Sequence, residues 1–95
     1  MTQSTEKHTD KKHLTIIVAD QEGDTEKVKV YLTDTIATLL REGLQELYPK
    51  QHKNPADYDV VIAGVAVTDL TQTVERAGLH DRSEVVIAPK DVSRG

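Results

Sequence analysis

Residues 26–47 read EKVKVYLTDTIATLLREGLQEL, and the spacing of their apolar residues changes partway along. Val28, Val30 and Leu32 alternate with charged or polar residues, which is typical of a strand with one buried face. From Ile36 onward the apolar residues recur three and four positions apart, which places them on one face of a helix. The stretch therefore predicts a strand followed by an amphipathic helix.

Further strands are predicted on both sides of this stretch. The segments share β-branched residues and are bounded by turn residues such as Gly and Pro. A short turn containing Gly23 joins the first of them to the strand at 26–32 as a β-hairpin. The segments are residues 14–19, 58–63, a short one at 65–67, and 83–88.

The ends of the helix are also predictable. Residues 33–35 (TDT) carry side-chain oxygens that can accept hydrogen bonds from the first free amides, so one of them is the expected N-cap. Pro49 disfavours helical geometry at the residue before it, so we expect the helix to end near Tyr48. Residues 50–57 then form a polar connection that contains a second proline, Pro55.

The composition excludes several classes of protein. The chain has 95 residues, which is enough for one domain. It contains no Cys, which excludes disulfides, a thiolate nucleophile and a Cys-based zinc site. The net charge is −4 and no basic run exceeds Lys11-Lys12, which argues against nucleic acid and anionic membranes as partners. No apolar run approaches the roughly 18 residues that span a membrane, and no signal peptide is evident, so we expect a cytoplasmic protein.

The pattern divides the chain into three parts. Residues 1–12 are polar and lack periodicity, so they predict a disordered arm. Residues 13–89 hold all the predicted elements and form the expected folded domain. Residues 90–95 predict a short flexible tail.

The order of elements and several short segments resemble the ubiquitin family. The resemblance spans roughly residues 13–95 and implies an α+β, ubiquitin-like β-grasp fold, with a four- to five-stranded mixed sheet packed on one helix. The matching segments are residues 33–36 (TDTI), 61–64 (VIAG), 70–74 (LTQTV), 78–79 (GL) and 83–87 (SEVVI). The matching core positions are Ile16, Val18, Val28, Val30, Leu32, Ile36, Leu39, Val60, Val74, Leu79, Val85 and Ile87.

One region departs from the family. The helix and the connection after it, residues 45–57, are longer than the corresponding part of ubiquitin. Loop-by-loop comparison with the family therefore does not extend to this region.

The resemblance implies a protein modifier that is a monomer, is itself no enzyme and uses no cofactor. Family members are activated at a C-terminal glycine by an E1-like activating enzyme and are joined to target proteins. Gly95 corresponds to that glycine, although Arg94 stands where the family has a second glycine. The distance from ubiquitin suggests a prokaryotic conjugation system.

Ubiquitin is also recognised through an apolar patch on its sheet, and the resemblance places that patch at Val61, Val86 and Ala88. These residues lie where an unbound two-faced strand would carry polar side chains. The alternative is that the valines reflect β-propensity alone, or that the N-terminal arm covers them.

Two other functions stay open. One is a non-covalent interaction module that binds through its sheet and has an unreactive tail. The other is a sulfur carrier with a C-terminal thiocarboxylate, which Arg94 disfavours.

No catalytic or metal-ligating pattern is evident. The histidines are scattered and are expected to be exposed: His8, His13, His52 and His80. The acidic residues at 20–26 resemble the start of a calcium loop, but Thr25 and Tyr31 occupy the positions that need Gly and an acid.

Overall fold

The computed structural model describes residues 13–90. Its elements are β1 (His13–Ala19), β2 (Thr25–Tyr31), α1 (Ile36–Leu47), a 3-10 helix (Pro55–Asp57), β3 (Tyr58–Ile62), β4 (Val65–Ala66) and β5 (Glu84–Pro89). The five strands form one sheet in the order β2-β1-β5-β3-β4. β1 runs parallel to β5 and every other pair is antiparallel. This mixed sheet packs on α1, which confirms the predicted α+β architecture.

Helix α1 begins and ends as the sequence predicts. Thr35 is the N-cap, and its hydroxyl accepts a hydrogen bond of 3.1 Å from the amide of Thr38. Tyr48 is the C-cap, and its amide donates to the Leu44 carbonyl at 2.9 Å, immediately before Pro49. Local cap chemistry and the proline therefore fix the length of the helix.

The core lies between α1 and the inner face of the sheet. Leu32 alone among the predicted core residues is only half-buried. Its position follows from a turn: the Asp34 carboxylate accepts from the Tyr31 amide at 2.8 Å, and the Tyr31 carbonyl accepts from the Asp34 amide. The buried core consists of Ile16, Val18, Val28, Val30, Ile36, Leu39, Leu40, Leu44, Val60, Val74, Leu79, Val85 and Ile87.

Helix and sheet approach each other closely at Gly43. A Cβ atom on Gly43 would lie 2.6 Å from Cδ1 of Ile87 and 3.3 Å from Cγ1 of Val18. The missing side chain therefore sets how near the backbone of α1 comes to the sheet.

Strand ends differ slightly from the sequence pattern. β3 ends at Ile62 because Ala63 turns away with a φ of 53°. β5 extends to Pro89, which pairs with Tyr58. Proline has no N–H to donate to a strand ladder, and the end of a strand is a position where it is tolerated. The predicted arm and most of the predicted tail lie outside the described residues. Within residues 13–90, no helix is long and apolar enough to cross a membrane.

Candidate protein-interaction surface

The outer face of the sheet carries a row of apolar side chains. Val60 and Val85 point into the core, so strand alternation turns Val61 and Val86 outward. The two outward valines are cross-strand partners, and such partners have Cβ atoms about 5 Å apart. On one side Val86 pairs with Ala19, and on the other Val61 pairs with Ala66. We call Ala19, Val86, Val61 and Ala66 the apolar row; it crosses four adjacent strands, and its accessible surface comes from Ala66 and the two half-buried valines, because Ala19 is only 6% exposed.

The structure brings together the patch residues predicted from the sequence. Val61 and Val86 form the centre of the row, and Ala88 follows on the same face of β5, opposite Asp59. All three predicted residues are half-buried. The sequence pattern missed Ala19 and Ala66, because their proximity to the valines depends on strand register rather than on local spacing.

Charged residues border the apolar row on the same face. On the β2 side, Lys27 pairs with the half-buried Ile17, and Lys29 pairs with Thr15. On β5 and β3, Glu84 and Asp59 occupy outward positions, and Glu84 shares its partner Ile17 with Lys27. An apolar centre with a charged rim is the arrangement found at non-obligate protein interfaces.

Both predicted conjugation residues, Gly95 and Arg94, lie outside the described residues. The segment leading to them leaves from β5, the strand that carries Val86 and Ala88. The amide of Lys90, the last described residue, donates to the Asp57 carbonyl at 2.8 Å. The ladder between β5 and the start of β3 therefore holds the chain up to the beginning of the tail.

The acidic turn between β1 and β2 has a structural explanation. Carboxylate oxygens of Asp20, Glu22 and Asp24 lie within 4.8 Å of one another. Asp20 is only 7% exposed, and its carboxylate accepts from the amides of Glu22 and Asp24 at 2.9 and 3.0 Å. Its second oxygen accepts from the Tyr48 hydroxyl at 3.4 Å. Asp20 thus closes the turn and connects it to the end of α1.

This contact changes the electrostatics of Tyr48. Partial burial raises the pKa of its hydroxyl, and the negative charge of Asp20 raises the pKa further. The Nζ atom of Lys53 lies 5.0 Å from the centroid of the Tyr48 ring. The tyrosine therefore joins the hairpin turn, the helix end and the following loop.

The histidines within residues 13–90 are exposed and separate, as the sequence predicts. His13 stacks on Tyr31, with ring centroids 4.3 Å apart. His52 lies in the loop after α1, and the amide of His80 donates to the Ser83 hydroxyl at 2.8 Å. His8 lies outside the described residues.

Comparison with known proteins identifies the fold. The sequence matches no protein-family model and no curated protein. The structure is similar to the ubiquitin-like domain of an Arabidopsis thaliana protein, with a TM-score of 0.69, 17% identity, and 88% of this chain covering 84% of that one. It is equally similar to the ubiquitin of Caldiarchaeum subterraneum, with a TM-score of 0.69, 18% identity, and 85% of this chain covering 98% of that one. The chain is therefore a divergent protein with the ubiquitin-like β-grasp fold.

Proposed function

We propose that this chain is a ubiquitin-like protein modifier, docked through the outer face of its sheet and conjugated through Gly95. The apolar row is the observation that carries the proposal. It lies on the face that the helix leaves uncovered, where an antiparallel pair such as β3 and β5 would ordinarily carry polar residues. An apolar surface on a small domain is typical of a partner-binding site.

The geometry supports a partner that is a protein rather than a small molecule. The row is bordered by charges of both signs: Lys27 and Glu84 lie on one flank, where both pair with Ile17, and Asp59 lies on the other, where it pairs with Ala88. A partner surface with a small apolar centre and both signs of charge at its rim would match it. The E1-like activating enzyme and the enzymes that receive the modifier from it are the partners that the proposal requires.

Conjugation takes three steps. The Gly95 carboxylate attacks the α-phosphate of ATP, which forms an acyl adenylate and releases pyrophosphate. A cysteine thiolate of the activating enzyme then displaces AMP and forms a thioester. Finally, a neutral target lysine amine attacks the thioester, which forms an amide, and the proton that the amine loses passes to the departing thiolate to give the thiol. The chain is the substrate and the tag in this scheme, and every catalytic group belongs to the partner enzymes.

The apolar row also supports the second candidate, a non-covalent interaction module. Docking on the sheet needs no reaction at the tail, so both candidates share this surface. They differ only in the role of Gly95.

The test is recovery of the protein from its native cells, followed by trypsin digestion and mass spectrometry of branched peptides. Trypsin cleaves after Arg94, so a conjugated target keeps a single glycine on its modified lysine. We expect such lysines with the intact chain and none with a chain lacking Gly95. A Ser93→Ala variant, which keeps Arg94 with its trypsin site and Gly95, is the matched control and should still conjugate.

A second pair of variants tests the surface. The Val61→Ala and Val86→Ala double variant should reduce both conjugation and recovery of the activating enzyme. Val65→Ala removes an exposed valine that pairs with Ile62, outside the apolar row, and should leave both unchanged. The non-covalent module would replace the modifier if two results came together. The partner would still be recovered with the chain lacking Gly95, and the intact chain would yield no glycine-modified lysine.

A further inference from the structure

The region that departs from the ubiquitin pattern forms a pocket on the other side of the molecule. After α1 the chain turns at Pro49 and runs back beside the helix to the 3-10 helix at residues 55–57. The pocket between helix and loop has a volume of about 310 Å³. Its lining consists of Arg41, Gln45, Gln51, His52, Lys53 and Pro55. Since α1 covers the inner face of the sheet, this pocket and the apolar row belong to opposite layers of the fold.

The ionisable groups that line the pocket are all basic types. Arg41 comes from the helix, and His52 and Lys53 come from the loop. The acids of the same helix, Glu42 and Glu46, do not line it. In a protein of net charge −4, the charged side chains of Arg41 and Lys53 at one cavity with no lining acid make a local surplus of positive charge.

The polar side chains of the pocket are available to a ligand. Within residues 13–90, no hydrogen bond joins the side chains of Arg41, Gln45, Gln51 or His52 to another group. Each glutamine amide offers both donors and an acceptor, which match the two polar groups of a peptide bond. Guanidinium and ammonium groups suit carboxylates.

We propose that this pocket binds an acidic peptide segment of a partner protein. Carboxylates of the segment would contact Arg41 and Lys53, and its backbone would hydrogen-bond to Gln45 and Gln51. The site is independent of Gly95 and of the apolar row, so it goes beyond the conjugation proposal.

Another explanation accounts for only part of the arrangement. Basic residues near the C-terminal end of a helix stabilise its dipole, and Lys53 beside Tyr48 fits that role. Arg41, however, lies six residues before the last residue of α1, beyond the final turn in which the dipole effect acts. Neither does the dipole explain two unpaired glutamines at the same cavity.

The test is an NMR titration of the ¹⁵N-labelled full chain with an acetylated and amidated hexaglutamate peptide at constant ionic strength. We expect saturable shifts confined to the amides around residues 41–45 and 51–55, including the side-chain amides of both glutamines. The Arg41→Gln and Lys53→Gln double variant should weaken binding about fivefold, as expected from losing two exposed charge pairs. Lys50→Gln with Arg82→Gln makes the same charge change outside the pocket and should retain the wild-type affinity.

Further variants in the same titration distinguish binding at this site from nonspecific electrostatic attraction. Gln45→Ala with Gln51→Ala keeps every charge, and it should also weaken binding if the peptide backbone is recognised. A chain lacking Gly95 should bind the peptide as the intact chain does, which keeps this test separate from that of conjugation. Absence of saturable shifts, equal weakening in both charge-changed variants, or the same saturable shifts with sodium phosphate would each overturn the proposal. Dispersed spectra of the free variants establish that they are folded.

Discussion

Two pairs of adjacent valines on neighbouring strands present the same side chain to opposite environments. In β3, Val60 is fully buried against α1, while Val61 is half-buried on the outer face. In β5, Val85 is 1% exposed, while Val86 is half-buried on the outer face. Both residues of a pair are valines of the same strand, so their difference in exposure reflects the face of the sheet on which each one lies.

The comparison separates what folding requires from what binding can use. The inner valines are required because α1 has no other surface on which to bury its apolar face. In the part of the chain that the structure describes, the outer valines pair with residues of neighbouring strands on the face away from α1, so the fold would accept polar residues there. An apolar residue that the fold does not require is the stronger indication of a partner.

The largest expected effect comes from truncating one valine of a pair. Val85→Ala should lower the free energy of unfolding by about 2–3 kcal/mol, because it removes two buried methyl groups and leaves a cavity. Val86→Ala should lower it by less than about 1 kcal/mol, because its side chain is only half-buried. Urea unfolding followed by circular dichroism measures both values. Equal losses would show that the outer face is as important for folding as the inner one.

A second prediction tests how tightly the inner face is packed. Gly43→Ala should destabilise the protein by about 1–2 kcal/mol, because overpacking against Ile87 outweighs the better helix propensity of alanine. Ile87→Val removes the Cδ1 atom that a Cβ at position 43 would meet. The double variant should therefore be more stable than the sum of the two single changes predicts, which is a positive coupling in a double-mutant cycle. If the effects of the two changes were strictly additive, contact with the Cδ1 atom of Ile87 would not be the cause of the strain in the Gly43→Ala variant.

Sequence patterns predict the inner face well and the outer face only in part. Val28 and Val30 are recognisable because alternation marks them, and Thr35 because caps need a side-chain oxygen, whereas Ile16 and Val60 lie in continuous apolar runs and are predicted as core only through the resemblance to the ubiquitin family. The row through Ala19 is different, since it depends on parallel pairing of β1 with β5 across more than 60 residues of chain. Such long-range register leaves no local signal.

The helix–loop pocket was also beyond prediction. The spacing of Arg41 and Gln45 places them on one helix face, but the path of the chain after Pro49 decides that His52 and Lys53 return to it. A polar loop of this length has many possible paths. Only its packing in the folded chain selects one.

A third prediction concerns the turn that sets the pairing of Val61 with Ala66. Ala63 and Gly64 both have positive φ, 53° and 82°, as a type I′ turn requires. Ala63→Gly should raise the free energy of unfolding by roughly 0.5–1 kcal/mol, because the left-handed conformation costs alanine more than glycine loses in entropy. Ala66→Gly, the same change within β4, should instead lower stability. Thermal unfolding of both variants decides whether the turn carries this strain.

The smallest expected effect is at the edge of the inner face, where Tyr48 joins α1 to the hairpin turn. Tyr48→Phe removes a long hydrogen bond to Asp20 and should lower stability near pH 7 by only about 0.5 kcal/mol. The sign changes with pH: the folded-state pKa of Tyr48 is raised above the ordinary value near 10, so its contribution is complete below pH 10 and is lost as the pH rises through the folded-state pKa. Above that range the phenolate would face the Asp20 carboxylate, and the Phe variant should become the more stable of the two.

Urea unfolding at pH 8 and above pH 10 measures this crossover. Asp20→Asn should reduce the alkaline difference, because it removes the opposing charge, and a difference that stayed constant with pH would contradict this account.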